Sequence, residues 1–570
     1  MEEKQPEAQA SSPAALKTPR EEDSEQQNKA GVHRGVLISQ ASTKFWSTKE
    51  LVILYVLIWL AQFVELFANG VITTLSPYVT SKFGGHSLVS TAQVIAAIVS
   101  GLVQLPYAKL LDVWGRPQGL AIMVTCQTMG FILLAACEDV KTYCAGRVFV
   151  QTGYSAIILS IIILIADTST LRHRALWIGL LSTPTLITTW TFGLYSNTVS
   201  QGIGFRWGMG IFAILGPLTS GPICAFLYYY QRKVQEANPE MIPKSGRTVR
   251  ESILYHAKEF DVVGLSILTV GLALFLLSFN LVSYQSDGWR SPMIICFIII
   301  GGILIVAFVL YEKFLAPFTF IPWELLRERT IFGAYAMNIF SIAAFYTYGT
   351  YFLSMLILVW RQTITHASYI FNVQAVGATV SGVLVGVAII LGMRLKHIAL
   401  LGGIPLILLG AGLLYHFCLS NNVGYIVMTQ VFLALGTGIL IVCEQVTVMA
   451  VSPQQRIPAV IATETLMASV GTAIGSAVSG AIWAGTFPQK LTEALPDHDA
   501  KLAHEIYDSI YVQLSYARGT PIGDAIVHAY GTSLQVMVIT SMCLYVGAGL
   551  CVACWRNVNL GKRGLVKGRL

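Results

Sequence analysis

The sequence is poor in charge. Of its 570 residues, only 12% are Asp, Glu, Lys or Arg, about half the share of a soluble protein. A soluble chain of this length would divide into about three or four domains with polar surfaces, and there is too little charge to coat them. That excludes a soluble enzyme and an acidic disordered protein. Paired cysteine motifs are missing too. The ten cysteines lie almost all in apolar stretches, and Cys551-Val-Ala-Cys554 is a lone CxxC with no second pair or His cluster beside it. It reads as helix packing, and a secreted disulfide module is excluded. Cys137 and Cys144 flank one short loop and leave room for a single bridge. No Walker-A loop and no hydrolase, kinase or dehydrogenase constellation occurs, so no enzyme activity, cofactor or direct ATP drive is expected. The net charge of +7 is not a nucleic-acid signal, because in an apolar chain the position of a cation matters more than the total.

Apolar residues dominate, at 54%. Stretches long enough to span a bilayer, about 20 residues each, recur at 51–78, 89–108, 118–137, 142–166, 175–195, 207–230, 262–283, 292–311, 331–358, 368–391, 398–418, 423–450, 457–484 and 530–554. All read as helices, since lipid offers no partner to open backbone groups. Fourteen spans place both termini on one side. With the N-terminus in the cytoplasm, 28 of the 37 Lys and Arg fall on inner segments and 8 on outer ones, the bias expected of a correct count and orientation. The predicted class is therefore an all-α polytopic protein of the lipid bilayer. Residues 1–50 are polar, carry no signal-peptide core and are expected to be a disordered cytoplasmic tail. The predicted divisions are a six-helix bundle at 51–230, a basic central loop at 231–261, two linking helices and an inner loop at 262–330, a second six-helix bundle at 331–555, and a basic tail at 556–570. The outer loop 485–529 is the longest on its side and holds six acids against three bases. Its run Ile506 to Leu514 has a helical rhythm and reads as an ordered lid.

Few residues could carry chemistry. Asp112-Val-Trp-Gly115-Arg116 joins the second and third spans; a tight turn at Gly115 would let the two charges clamp neighbouring helix ends. Glu65 sits about fifteen residues into the first span, near mid-bilayer, where a carboxyl group can load and release a proton. Arg147, in the fourth span, costs about 3 kcal/mol on insertion scales and needs a partner or a task; pairing with Glu65 would switch that proton site. Glu444 and Glu464 lie nearer the cytoplasmic end, either as gate elements or in packing pairs with neighbours such as Arg456. Tyr348, Tyr351 and Phe352 share one face of the ninth span, which either lines a pocket for a bulky ligand or forms an interface belt.

These residues carry a resemblance. The Asp112–Arg116 loop is similar to the signature loop of the major facilitator superfamily, with Ala108 and Pro117 where that family often has Gly and a base. Arg147-Val-Phe-Val-Gln151-Thr-Gly153 resembles its fourth-helix pattern, a segment implicated in proton coupling. The chain as a whole resembles the fungal siderophore–iron transporter family, a fourteen-helix branch of that superfamily. The match rests on Ala166-Asp167-Thr168-Ser169 with Leu171 to Leu176, on Arg206 to Gly210, on Gly471 to Trp483, and on the lid runs Val512 to Tyr516 and Asp524 to Gly531. Late in the first helix that family often has Asp-Gly; here the residues are Ala68-Asn69-Gly70, with Glu65 about one turn earlier.

The resemblance implies a major facilitator fold of two six-helix bundles plus two linking helices. It implies uptake of ferric siderophore by proton symport, with the lid helping capture. On this reading the inner gate is Asp112, Gly115, Arg116, Asp167 and Arg172. Proton coupling falls to Glu65 and Arg147, and cargo contact to Tyr348, Tyr351, Phe352, Tyr507, Tyr511, Tyr516 and Arg518. The chelate wraps its own iron, so no metal motif is expected. A monomer in the plasma membrane is the leading expectation, with an endosomal or vacuolar membrane still open. A proton-coupled exporter or exchanger of drugs, toxins or glutathione on the same fold is the alternative, and a signalling transceptor a third reading of another class.

Overall fold

The computed structural model describes residues 46–82, 89–168, 181–237, 261–281, 288–315, 327–390, 393–420, 422–452, 457–495 and 500–557, with 177, 179 and 285. The described secondary structure is helical throughout. In chain order the long helices are α1 (Thr48–Lys82), α2 (Val89–Trp114), α3 (Arg116–Ala136), α4 (Val140–Thr168), α5 (Pro184–Gln201), α6 (Gly204–Ala237), α7 (Val262–Leu281) and α8 (Pro292–Phe314). Then come α9 (Arg329–Leu358), α10 (Ile364–Ile390), α11 (Leu395–Phe417), α12 (Val423–Val451) and α13 (Ile457–Ala494), two short helices α14 (Ala500–Asp508) and α15 (Ile510–Ser515), and α16 (Pro521–Ala553). Each of the fourteen apolar segments coincides with one of α1–α13 or α16. Among the described residues, twelve helices are long and apolar enough to cross a membrane, and α7 carries a shorter apolar stretch at Val263–Phe279. Prolines sit inside several of them, such as Pro77 in α1 and Pro106 in α2. In α1 the Thr80 hydroxyl donates to the Ser76 carbonyl beside Pro77, the kind of side-chain bond that lets a spanning helix tolerate proline.

Packing divides the helices into two halves. In the first, α3 lies against α4 and α6, α2 against α4, and α1 against α5 and α6. In the second, α9 lies against α13 and α16, α10 against α12, and α11 against α12 and α16. The halves meet where α2 runs along α13 and where α5 meets α10, and the α7–α8 hairpin lies over the α2–α13 seam through α7. Small residues permit the close approach, as is usual for helices that associate without a hydrophobic drive. A Cβ on Gly475 of α13 would come within 2.4 Å of the Ala343 carbonyl oxygen of α9. Gly475→Ala is therefore expected to lower the melting temperature of the detergent-solubilised protein, because backbone has to move and overpacking costs about 1–3 kcal/mol. Gly485→Ala, ten residues on in the same helix and with nothing within 4 Å of its Cβ, is the control and is expected to be neutral or slightly stabilising.

Two boundaries depart from the sequence reading. The loop expected at 485–529 is largely helical: α13 continues to Ala494 and α16 begins at Pro521. The extension of α13 buries one apolar face, Phe487, Leu491 and Leu495, while Gln489, Lys490 and Glu493 on the other side hide that periodicity from a hydropathy window. At the start of α16, Ala525, Ile526, Ala529 and Tyr530 are buried in the same way. The fifth span contains the helix Pro184–Gln201, and most of its expected first residues, 175–180, lie outside the described ones. The tail 1–45 and most of the central loop lie outside the described residues. Cys137 and Cys144 are both free thiols.

Candidate functional site

The Asp112–Arg116 turn is built as its residues require. Gly115 adopts φ 114°, a conformation that a side chain resists, and this lets α2 turn directly into α3. Arg116 is only 5% exposed. Its guanidinium donates to Asp112 Oδ1 and to the Leu111 carbonyl, each at 2.8 Å, and through Nε to Asp167 Oδ2 at 3.3 Å. The expected clamp thus closes on three helix ends of one half: α2, α3 and α4. Four of its five expected members come together; Arg172 lies outside the described residues.

Glu65 of α1 is 2% exposed. One carboxylate oxygen accepts a 2.5 Å hydrogen bond from Nε2 of Gln127 on α3. Among the described residues no ion pair joins it to Arg147, and the partner found is an amide. Gly153 makes this possible: a Cβ there would lie 2.4 Å from Gln127 Cβ, so α4 approaches α3 closely at the level of Gln127. Gln127 escaped the sequence reading, although an amide in the middle of the 118–137 apolar stretch was the available signal. Arg147, also buried, lies within electrostatic range of Tyr143 on its own helix and of Tyr346 on α9. Tyr154 of α4 interacts electrostatically with both Glu65 and Tyr346. An acid, a base and two tyrosines, drawn from both halves, therefore share one interior zone.

The aromatic face of α9 is packed. Tyr348 donates to Gln374 Oε1 of α10 at 3.1 Å, and the Tyr351 hydroxyl meets Ser90 Oγ of α2 at 3.4 Å. Tyr351 stacks on Trp483 with ring centres 4.4 Å apart, and Trp483 stacks on Phe487 at 4.2 Å. Phe352 lies against Tyr348. Tyr507 of α14 joins the same column beside Trp483 and Phe487.

The lid is held from both halves. The Ile510 amide donates to Ser81 Oγ of α1 at 3.2 Å, and the Tyr511 ring meets Tyr78 edge-on; partial burial there raises the Tyr511 hydroxyl pKa. Arg361 donates to the Leu514 and Tyr516 carbonyls, and Arg518 to the Val359 carbonyl. Tyr530 donates to Gln513 Oε1, and Gln513 in turn to the Ile506 carbonyl. Further cross-links between the halves, Thr365 to the Gly193 carbonyl and Tyr369 to the Trp190 carbonyl, involve the start of α10. These ties lie toward the lid end, opposite the Arg116 clamp. The remaining acids, Glu444 and Glu464, meet each other across α12 and α13; Arg456 lies outside the described residues.

The chain is thus a two-half helical body with a charged turn clamp at one end of its first half and buried polar groups in its interior. Residues 58–358 match the Major Facilitator Superfamily. Among curated relatives, the MFS siderochrome iron transporter 1 of Ajellomyces capsulatus is 42% identical over 96% of this chain and 93% of its own length. The MFS siderochrome iron transporter D of Aspergillus fumigatus is 36% identical over 93% and 88%. The fold is similar to that of a bacterial homologue of the human lysosomal transporter Spinster in an inward-facing, unoccupied conformation, with TM-score 0.54 and 14% identity over 90% of this chain and 98% of that one. It is also similar to an auto-inhibited peptide transporter of the POT family, with TM-score 0.53 and 14% identity over 90% and 99%. The chain belongs to the major facilitator superfamily and, within it, to the fungal siderochrome iron transporter family, whose members are multi-pass membrane carriers and not enzymes.

Proposed function

We propose that the protein imports ferric siderophore chelates by proton symport. The observation that carries this reading is the interior zone of Glu65, Tyr154, Arg147 and Tyr346, which mixes proton-exchanging and charged groups from both halves. The bundles 51–230 and 331–555 rock about it, with 262–330 as the linking pair. The Lys and Arg bias puts both termini in the cytoplasm and the lid outside. On that orientation the ties between the lid and both halves lie on the exterior side. Tyr507, Tyr511, Tyr516 and Arg518 lie on the capture route, and Tyr348, Tyr351 and Phe352 on the inner wall exposed when the column opens. Glu65 carries the proton, and Arg147 tunes its surroundings as the zone rearranges. Asp112, Gly115, Arg116 and Asp167, with Arg172, hold the inner gate. The working unit is a monomer in the plasma membrane.

The test is uptake of several iron-loaded siderophores, with radiolabelled iron, in a fungal strain lacking its own carriers. Accumulation of at least one chelate, rising as the external medium is acidified and collapsing with a protonophore, is expected. Accumulation that ignores the gradient would sink the coupling. No uptake across the panel, together with gradient-driven extrusion of a drug or of glutathione, would reverse the direction of transport.

A further inference from the structure

We infer that Glu444 and Glu464 form a second proton-binding site, a carboxyl pair that holds one shared proton and thereby ties α12 to α13. Glu444 is 1% exposed and Glu464 7%. Their carboxyl groups are within hydrogen-bonding reach of each other. One Glu444 oxygen, Oε2, accepts from Asn338 Nδ2 of α9 at 3.2 Å. The other, Oε1, is fully buried and has no donor among the described residues. A buried acceptor without a donor costs about 1–3 kcal/mol, and more when charged. The Glu464 carboxyl lies within reach of Glu444 and can donate to it only when the pair carries a proton.

Among the described residues the surroundings offer nothing else in that role. Gln445 serves Glu464. Tyr335 of α9 lies near both acids, but its hydroxyl proton is given to the Val460 carbonyl at 3.0 Å. Among the described residues no Lys, Arg or His is among the pair's electrostatic neighbours. With the proton the pair is one hydrogen bond joining two helices. Without it, two like charges touch in a water-poor site and repel. α13 is the seam helix, and Leu466 and Ser469, just beyond Glu464, lie against Gly101 of α2. Losing the proton therefore pushes on the helix that the other half grips.

The role in transport rests on the symport reading; the proton site itself is read without cargo. Wild-type protein and variants in lipid nanodiscs are followed by infrared difference spectroscopy from mildly acidic to mildly alkaline pH, in a Glu65→Gln background so that Glu65 adds no signal. A carbonyl-stretch component of a protonated carboxylic acid is expected to vanish on alkalinisation. It should also be lost or shifted in frequency in both the Glu444→Gln and the Glu464→Gln additions, where the remaining carboxyl has an amide for its neighbour. Persistence of every component, unshifted, in both would overturn the proposal. Glutamine still hydrogen-bonds its neighbour, so either variant keeps the α12–α13 contact, and unchanged elution and melting establish that each is folded. In the otherwise wild-type protein, Glu464→Gln is expected to keep substrate exchange at equal pH and to lose gradient-driven accumulation; accumulation at the wild-type level would remove the pair from coupling. A wild-type protein that moved no ferric siderophore would sink the symport reading and leave the carbonyl result standing.

Discussion

Replacing Asp112 and Asp167 together by Asn is expected to cost the fold about 3–5 kcal/mol, the usual penalty for leaving one member of a buried ion pair uncompensated. Arg116 is 5% exposed, against 23% and 20% for the two acids. The asymmetry decides which partner matters most. Without its carboxylates the buried guanidinium keeps only neutral acceptors, the Leu111 carbonyl and whatever the Asn amide oxygens offer, and its charge is left uncompensated. Without the arginine, each acid can hydrate, so Arg116→Leu should cost less than the double Asn variant. Asp112→Asn removes the charge at the 2.8 Å contact and Asp167→Asn that at the 3.3 Å one, so the first should be the more damaging single change. Arg116→Lys should fall between, since an ammonium cannot reach three acceptors in a fixed fork. Thermal unfolding in detergent ranks the series. Arg116→Leu melting below the double Asn variant would show that the clamp is not held by the buried cation. Transport should follow the same ranking, because the clamp fixes the end of α2, the helix on which the two halves meet.

How much of this was legible beforehand depended on what each residue answers to. The spans were legible because lipid dictates them: a backbone without water becomes helix wherever apolar residues run long enough. The Asp112–Arg116 clamp was legible because its residues are adjacent in sequence. Contacts between distant segments were not. Glu65 and Gln127 lie 62 residues apart, and a lone buried carboxylate looks from sequence as though it needs Arg147, while the close approach that brings an amide instead depends on Gly153. Glu444 and Glu464 read separately as two acids seeking cations; their meeting across two helices has no linear signature. The lid showed the opposite failure. Its helical rhythm at 506–514 was visible, yet Ser509 breaks it into two helices. The flanking helices were cut short because one polar face lowered the average over an otherwise buried stripe. The aromatic spacing of α9 was right about a shared face and silent about its neighbours. Ser90, Gln374 and Trp483 come from three other helices.

Glu65→Gln is expected to abolish gradient-driven accumulation while leaving exchange of cargo at equal pH. A pH difference of one unit is worth about 1.4 kcal/mol per proton, a factor of about ten in concentration. A carrier that moves one proton with each chelate would therefore reach about tenfold accumulation across such a gradient, and an uncoupled one only equality. The amide of Gln is close in shape to the carboxyl and can still meet Gln127, so packing between α1 and α3 is retained. What it cannot do is take up and give off a proton. That separates a carrier role from a structural one, because a residue that only filled space would lose exchange and accumulation together. Glu65→Asp provides the complementary control: it keeps an ionisable group but withdraws it by one methylene from Gln127, so accumulation should survive at a lower rate. Gln127→Leu tests the geometry from the other side, since an apolar side chain cannot donate to a carboxylate that is 2% exposed; slowed turnover with accumulation retained is expected. Proteoliposomes with an imposed pH difference and labelled chelate read all three variants. Full accumulation by Glu65→Gln would move the coupling proton elsewhere in the chain, with the Glu444–Glu464 pair as the site to examine next.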